Sequence, residues 1–377
     1  MFQCTPLVLP PDSGISREIT RPIQFRGEDF AEEFDASTLF YDVIAFSNSP
    51  GNNLIFVGPP LLNLSPAFFR GRIDGQPLES AISGYYARDR CCDIWIRERH
   101  GDSVLLELSF GSYRLAPGPS CNEIYSGKRV LYTLSKNNDV AWLIDWMRFH
   151  ADNHGANAAL VYDNASTEYT ADGLEKSLRK ALPDFVVNVV DWPYKYGPGG
   201  FSRNSWWDSD FCQAGAFQDA RFRFLHQASS VLNCDIDEFV VSRTDASIFE
   251  ATEASVTGYI AFPGRWIANA AAPGRPDSDS PSGLRHGQFR YLEPPGANAC
   301  PTKWCVVPER CRLEDQWRTH TVKGKDSATS YSDEFSYCHF RSISTNWKYQ
   351  RSHRQAVDPV LHRVDEDLDR ALLRAGL

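Results

Sequence analysis

An apolar segment that runs into three acidic residues constrains this chain most. Residues 231–240 read Val-Leu-Asn-Cys-Asp-Ile-Asp-Glu-Phe-Val, so a buried strand there would end at Asp235, Asp237 and Glu238. In open α/β sheets, ligands bind beyond the carboxyl ends of the strands. Mg²⁺ and Mn²⁺ prefer carboxylate oxygens. The segment predicts a metal site with Asp235 and Asp237 as ligands; the alternative is a strand-end turn in which Asp235 caps the next segment.

The Asp-x-Asp spacing alone does not identify this site, because it recurs along the chain. The other pairs are Asp208/Asp210, Asp277/Asp279, Asp365/Asp367 and Asp367/Asp369. The pair at 277 lies in a Pro/Ser-rich stretch and the pairs from 365 lie in a charged terminal segment, where a solvated loop or helix face is the simpler interpretation. Only Asp235 and Asp237 follow a strand that looks buried.

The composition is that of an ordinary globular protein. The 377 residues are 42% hydrophobic and 13% aromatic, enough for two domains or for one domain with a large appendage. A net charge of −9 argues against broad nucleic-acid binding, which needs a basic surface, but allows a small phosphorylated ligand. Neither a secretion signal nor a run of 18 apolar residues is visible, so we expect a cytoplasmic chain.

The sequence pattern divides the chain into four parts. Residues 1–35 predict an extended arm, and residues 36–125 predict a small β-rich domain. In that domain the alternating segment 103–109 is expected to form a half-buried hairpin with residues 93–98. Residues 128–355 predict an α/β domain, and 356–377 a closing amphipathic helix with leucines at helical spacing.

Strands and helices alternate from residue 128 onward. Strands are predicted at 130–134, 158–162 and 185–190, separated by helices, of which the first has Asp139 as its N-cap. A further helix over roughly 208–226 leads to the strand that ends at Asp235. This alternation is typical of a parallel sheet flanked by helices. All four strand exits are polar, at Lys136-Asn137, Asp163-Asn164, Asp191 and Asp235/Asp237. Their common edge predicts a nucleotide pocket.

Several motifs in residues 128–350 occur in a characteristic order. They are Thr-Leu-Ser-Lys-Asn-Asn-Asp at 133–139, Trp-Leu-Ile-Asp-Trp-Met-Arg-Phe-His at 142–150, Val-Tyr-Asp-Asn-Ala-Ser-Thr at 161–167, Gln213, Asp-Ile-Asp-Glu-Phe at 235–239, and more weakly Lys303 with Pro308 and His320, and His339–Ser342 with Lys348. Together they resemble glycosyltransferase family 92 and its family-2-like bacterial relatives. Two departures are Asn138, where an acidic residue is usual, and the long Pro/Ser/Gly insertion at 273–301.

The resemblance implies a GT-A-type fold with a mostly parallel sheet, and transfer of a sugar from a nucleotide donor. The donor would be UDP-linked, with UDP-galactose as one candidate, and the acceptor a hydroxyl of a glycan or lipid-linked glycan. A lipid-linked acceptor would allow peripheral attachment to the inner face of a membrane. By similarity Asp163, with Lys136 nearby, would contact the nucleobase or ribose, whereas the alternative for Asp163 is an Asx-type turn with Asn164. Gln213 and Lys348 are further candidates for donor contacts.

The chemistry of the residues independently suggests roles around a Mn²⁺ or Mg²⁺ ion. Asp237 would bind the metal directly and Asp235 would be shared between metal and ribose. The ion would act as a Lewis acid on the departing nucleoside diphosphate. His320 is the candidate third ligand, with a surface or core histidine as the alternative. His339, like Lys348, could place a cation near the diphosphate.

The acceptor side of the predicted site is less defined. Inversion requires a carboxylate that deprotonates the acceptor hydroxyl. The candidates for this general base are Glu238, Glu314, Asp315, Asp333 and Glu334. Phe262, Trp266 and Trp347 could stack on acceptor sugars or belong to the core.

Two other function classes stay open at this point. One is a non-catalytic carbohydrate-binding protein with a degenerate sheet domain. The other is a metal-dependent nucleotidyltransferase or phosphohydrolase that uses the same acids to attack phosphorus. Sugar transfer releases an intact nucleoside diphosphate, whereas attack on phosphorus gives monophosphate or pyrophosphate products.

Overall fold

The structure is a computed structural model, in which the chain forms two compact units. It describes residues 2–47, 52–97, 102–199, 208–270, 283–293, 299–345, 357–358 and 360–377. By their contacts, residues 2–124 and 191–226 form one unit, called here the N-terminal unit, and residues 125–190 and 227–377 form the other, called the sheet unit. The segment 191–226, which the sequence analysis placed in the α/β domain, is thus grouped with the N-terminal residues.

The N-terminal unit contains mostly short strands. They are β1 (Leu7–Val8), β2 (Thr38–Phe40), β3 (Asp42–Ser47), β4 (Asn52–Gly58), β5 (Arg72–Ile73), β6 (Gln76–Pro77), β7 (Ile82–Ala87), β8 (Cys92–Ile96), β9 (Val104–Leu108), β10 (Gly111–Leu115) and β11 (Gly118–Pro119). Helices α1 (Phe30–Glu33), α2 (Ser65–Phe69) and α3 (Leu78–Ala81) lie between them. The strands form sheets ordered β1-β2, β10-β9-β5-β6 and β11-β3-β4-β8-β7.

The predicted hairpin of segments 93–98 and 103–109 is wrong in its pairing. Strand β9 pairs with β10 and β5, whereas β8 pairs with β4 and β7 in another sheet. The half-buried character of β9 is nevertheless present, since buried residues alternate with partly exposed ones. Alternation fixes which face of a strand is buried, but it does not select the partner strand.

The remaining elements follow in chain order. The strands are β12 (Arg129–Ser135), β13 (Ala158–Asp163), β14 (Val186–Asp191), β15 (Ser230–Asn233), β16 (Glu238–Ser242), β17 (Tyr259–Ile267), β18 (Cys300–Val306), β19 (Gln316–Trp317), β20 (Val322–Lys323) and β21 (Phe335–Phe340). The helices are α4 (Val140–His154), α5 (Ala171–Ala181), α6 (Phe211–Asp219), which a π-helical turn at Ala220–Phe224 extends, α7 (Ile248–Ala254) and α8 (Glu366–Arg374). Helix α6 belongs to the N-terminal unit.

An eight-stranded sheet organises the sheet unit. Its order is β14-β13-β12-β15-β18-β17-β21-β16. Strands β12, β13 and β15 are parallel, as is the pair β17–β21, while β15–β18, β17–β18 and β16–β21 are antiparallel. The parallel strands are buried along most of their length, as expected where helices cover both faces. The predicted α/β class, with a sheet flanked by helices, is confirmed.

The helix ends follow from local sequence. The side chain of Asp139 accepts a hydrogen bond from Ala141 N at 2.8 Å, which confirms the predicted N-cap of α4. Gly155 ends this helix with a φ of 74°, a conformation that costs glycine little. The C-terminal helix buries Leu368 and Leu372 but begins only at Glu366, so the predicted helical position Leu361 lies outside it. Over the described stretches, no helix has the length and apolarity needed to cross a membrane.

Candidate active site

The acidic motif occupies the turn between β15 and β16. Asp235 N donates to Glu238 Oε2 at 2.7 Å, and Glu238 N donates to Asp235 O at 3.0 Å. The Asp235 side chain is 39% exposed, whereas Asp237 and Glu238 are buried. The residues therefore form a closed turn, as the simpler interpretation of the sequence expects, and this turn presents the Asp235 carboxylate to solvent.

A buried lysine from the neighbouring strand β18 pairs with this turn. Lys303 Nζ lies 2.7 Å from Asp235 Oδ2 and 2.9 Å from Glu238 Oε2, and Lys303 is 1% exposed. Burial would lower the pKa of Lys303, but the two carboxylates raise it above its ordinary value. Burial raises the pKa of Glu238 to about 7, with Asp235 acting in the same direction and Lys303 in the opposite one.

Asp237 pairs with a histidine instead. His339 Nε2 lies 3.1 Å from Asp237 Oδ2, and its Nδ1 lies 3.9 Å from Glu238 Oε1. Burial alone would lower the pKa of His339, but Asp237, with Glu238, raises it to about 9. His339 is therefore an imidazolium at neutral pH, and the turn has two cations of its own, one for each aspartate.

The strand register accounts for the position of His339. On β21, His339 is opposite Glu238 of β16 and Trp266 of β17, so the three side chains form one cross-strand row. The Trp266 ring stacks on His339 with centroids 4.0 Å apart and planes at 19°. Arg341 covers Trp266 at 3.8 Å from the ring centroid. Phe262 is fully buried, which agrees with the core alternative for that residue, and Trp266 stacks within the protein on His339.

Two buried histidines of α4 hold the middle of β16. Strand β16 is the last in the sheet order, so its outer backbone groups need partners from elsewhere. Val240 N donates to His150 Nε2 at 3.2 Å, and His154 Nε2 donates to Val240 O at 2.7 Å. The two imidazoles thus satisfy both the N–H and the carbonyl of Val240, three residues beyond Asp237.

A third histidine holds the acidic turn itself. His286 Nε2 donates to the carbonyl of Ile236, between the two aspartates, at 2.9 Å. The buried Asp145 carboxylate of α4 lies 3.7 Å from His286 Nδ1 and forms a paired contact with Arg285. The backbone on which Asp235 and Asp237 stand is therefore fixed from the helix side. Nothing in the sequence pattern pointed to His286.

Asp163 lies at the same edge of the sheet. Strand β12 pairs in register with both neighbours, Ser135 opposite Asp163 on β13 and Tyr132 opposite Asn233 on β15. The two acidic strand exits are thus separated by one strand, roughly 10 Å between the axes of β13 and β15. Asp163 is 2% exposed and accepts a hydrogen bond from Ser166 Oγ. The predicted common edge is present, and the Asp163 side chain also takes part in a local turn.

The adjoining loop after β12 is tied to the loop after β13. Asn137 N donates to Ser166 Oγ at 2.8 Å, and Asn137 Oδ1 accepts from Thr167 N at 2.7 Å. Asn138, the departure from the family pattern, donates from Nδ2 to Ser135 Oγ at 2.9 Å. The amide donates here to the hydroxyl oxygen, whereas a carboxylate at this position could only accept from the hydroxyl. Lys136, between Ser135 and Asn137 in the chain, is half-buried.

The other sequence candidates are spread over several places. His320 has an exposed side chain with Nδ1 3.3 Å from Thr302 O. Desolvation by neighbouring groups lowers its pKa, with Lys303 acting in the same direction and Asp235 in the opposite one. It therefore lies within electrostatic reach of the turn. Gln213 is in the N-terminal unit and accepts from Tyr196 Oη at 2.9 Å. Lys348 and Trp347 lie outside the described residues.

The general-base candidates also separate. Asp315 is buried in a turn, where it accepts from Arg312 N at 2.9 Å. Glu334 accepts from Ser242 Oγ at 2.6 Å, and exposed Asp333 lies 3.6 Å from Arg243. Since Glu238 is opposite His339 and Ser242 is opposite Phe335, the acids at 333 and 334 lie at the far end of the β16–β21 pair from Asp237. Glu314 is exposed.

The acidic turn offers two carboxylates to the predicted cation. Among the residues that the structure describes, no group of three or more His, Cys, Asp or Glu side chains is placed to hold a metal ion. Asp235 and Asp237 supply two carboxylates from one turn, the first of them open to solvent. Mg²⁺ in nucleotide sites is usually bound through one or two carboxylates together with substrate phosphates. The turn fits that type of cation site.

Comparison with known proteins identifies the family. The sequence model described as glycosyltransferase family 92 matches residues 134–372, more than half of the chain. The chain belongs to glycosyltransferase family 92. The motifs at 142–150, 161–167 and 235–239, with His339, all lie inside the matched range, and membership places the chain among glycosyltransferases.

Other comparisons add little to this assignment. No curated protein matches the chain. Among solved structures, one described as the apo structure of WbbM, a bifunctional glycosyltransferase, is 12% identical with a TM-score of 0.28, over 45% of this chain and 27% of that one. This chain therefore spans about a quarter of that protein, and the likeness is too slight to support an argument.

Proposed function

We propose that this family 92 protein is a metal-dependent glycosyltransferase. It transfers a sugar from a nucleotide donor, UDP-linked and with UDP-galactose as the first candidate, to a hydroxyl of a glycan or lipid-linked glycan, with inversion. The single observation that supports this most is the exposed Asp235 carboxylate at a fixed acidic turn, on the sheet edge that also carries Asp163. We place the reaction in the cytoplasm, where a lipid-linked acceptor would bring the chain to a membrane surface.

The roles follow from where the side chains lie. Asp235 and Asp237 would hold Mn²⁺ or Mg²⁺, with His320 as a further candidate ligand. When bound, the cation supplies positive charge against the leaving diphosphate. Asp163 and Lys136 would bind the nucleoside part, Gln213 and Lys348 remain donor-binding candidates, and His339 orients Asp237 through the contact at 3.1 Å.

For the proton transfer we propose a division among the acids. Glu238 is 1% exposed and is engaged by Lys303 and by Asp235 N, so it orients the turn and does not meet the acceptor. Asp315, Asp333 and Glu334 remain candidates for the general base. Exchange of each for its amide, followed by measurement of kcat against pH, would identify the general base as the group whose loss removes the acidic limb of the profile, where the base becomes protonated.

A thermal-shift panel of nucleotide sugars with and without Mn²⁺ tests the proposal. A ligand that binds only the folded state raises its apparent stability. We expect a response to UDP-sugars that requires the metal, and Asp235→Asn should lose it while Asp172→Asn, an exposed acid on α5, should keep it. Release of intact UDP during turnover supports sugar transfer, whereas monophosphate or pyrophosphate products would instead show attack on phosphorus.

A further inference from the structure

Lys303 occupies an unusual place for a lysine. It lies on β18 opposite Phe262, where β17 has an irregularity between Phe262 and Gly264 that includes Pro263, a residue without an N–H for the ladder. Such irregularities re-aim neighbouring side chains. The next pair of the sheet, Asn233 opposite Trp304, brings Lys303 beside the start of the acidic turn.

The ammonium of Lys303 is held between two carboxylates. Its Nζ lies 2.7 Å from Asp235 Oδ2 and 2.9 Å from Glu238 Oε2, and the lysine is 1% exposed. A buried charge persists when it is paired in this way. Asp235 therefore already has a positive charge on one oxygen, although its side chain is open to solvent elsewhere.

We propose that Lys303 is an internal counter-cation that competes with a divalent metal for Asp235. Its charge keeps the affinity of the bare turn for metal low, so that the ion is retained when the phosphates of a nucleotide add ligands. Lys303 is thus a positioning residue that sets metal affinity. This inference rests on the proposed function only in that the turn accepts a cation.

Coulomb's law gives the size of the effect that the Lys303 charge has on metal affinity. A unit positive charge about 5 Å from a divalent ion lowers the affinity by roughly tenfold even at the dielectric constant of water, and by more in a partly buried site. Removal of that charge should therefore tighten metal binding, provided that the remaining carboxylates keep their places. Lys303→Met alone would leave Glu238 buried without its lysine partner, so Glu238→Gln is the appropriate background.

The test measures Mn²⁺ binding without nucleotide, by electron paramagnetic resonance of the free ion, on the full chain. We expect Lys303→Met/Glu238→Gln to bind Mn²⁺ at least about tenfold more tightly than Glu238→Gln. Addition of Asp235→Asn should abolish the gain. Lys176→Met, which removes a lysine from an exposed pair with Asp172, should leave the affinity unchanged. Equal or weaker binding by the double variant, or a gain that survives Asp235→Asn, would overturn the inference.

The result is separable from the test of sugar transfer. An Asp235-dependent gain in Mn²⁺ affinity supports the role of Lys303 even if no nucleotide sugar proves to be a substrate. Conversely, transfer of sugar by the wild type together with an unchanged Mn²⁺ affinity in the double variant would retain the function and reject this role. Circular dichroism of each variant verifies that the fold is intact.

Discussion

The histidines that contact β16 differ in charge between the start of the strand and its middle. At the start of the strand, His339 faces Asp237 and Glu238, and these carboxylates raise its pKa to about 9. In the middle, burial lowers the pKa of His150 to about 3 and that of His154 to about 4. All three are buried, so the difference arises from what each ring faces: carboxylates in one region and peptide groups in the other.

The peptide contacts of the inner pair also fix the neutral form. His150 Nδ1 donates to Trp146 O at 2.8 Å, so its Nε2 must keep a lone pair to accept from Val240 N. A proton on Nε2 would place its N–H directly against the N–H of Val240. The middle of β16 is therefore a neutral anchor, and the charges are confined to the turn that precedes it.

The largest expected effect is the acid sensitivity of the neutral anchor. A histidine whose folded pKa is depressed contributes stability that is present above pH 6.5 and is lost as pH falls toward the folded pKa. Between pH 6.5 and 5, His150 and His154 should each lower the free energy of unfolding of the protein by about 2 kcal/mol. Urea unfolding followed by tryptophan fluorescence at both pH values measures the sum, and His150→Asn should reduce the difference by about half.

His339→Asn provides the matched comparison. The folded pKa of His339 is raised, so its contribution is complete below pH 6.5 and is lost as pH rises through about 9. Its replacement should therefore change the pH dependence of stability on the alkaline side, while the loss caused by protonation of His150 and His154 should remain. Identical acid profiles for wild type and His150→Asn would show that the Val240 contacts do not hold the imidazole neutral.

The second effect concerns the charged turn. Asp237→Asn keeps the shape of the side chain but removes its charge, and with it the partner that keeps His339 protonated. We expect kcat for sugar transfer to fall about a hundredfold or more, the size found when one preorganised electrostatic contact to a transition state is lost. Release of UDP from the nucleotide sugar is the readout. Asp172→Asn on α5 is the control, and near-normal turnover by Asp237→Asn would remove this residue from the reaction.

Much of the parallel half of the fold could be predicted from sequence. Buried parallel strands have continuous apolar runs, and Asp139 marks the start of α4, so local signals were sufficient there. The exits at Asp163 and Asp235 share an edge because parallel strands point the same way. The pairing of β9 was missed because alternation is equally compatible with several partner strands.

The partners within the site could not be predicted in the same way. Lys303 and His339 reach the acidic turn through antiparallel strands 68 and 102 residues away, and His286 reaches it from 50 residues away. No local periodicity encodes such contacts. The family resemblance pointed to Lys303 and His339 only as weak matches, and of the two alternatives for Trp266 the sequence could not show that the ring stacks on His339.

The smallest expected effect is that of Trp266 on the pKa of His339. Trp266 stacks on the imidazolium at 4.0 Å, and a cation over an aromatic face gains about 1–2 kcal/mol when it is desolvated. Trp266→Leu should therefore lower the pKa of His339 by about one unit, toward the neutral state of His150. The titration is followed through ¹⁵N-labelled histidine side chains. Trp317→Leu, a buried indole packed on Trp304, is the matched control, and an unchanged His339 pKa in Trp266→Leu would show that the ring does not stabilise the imidazolium.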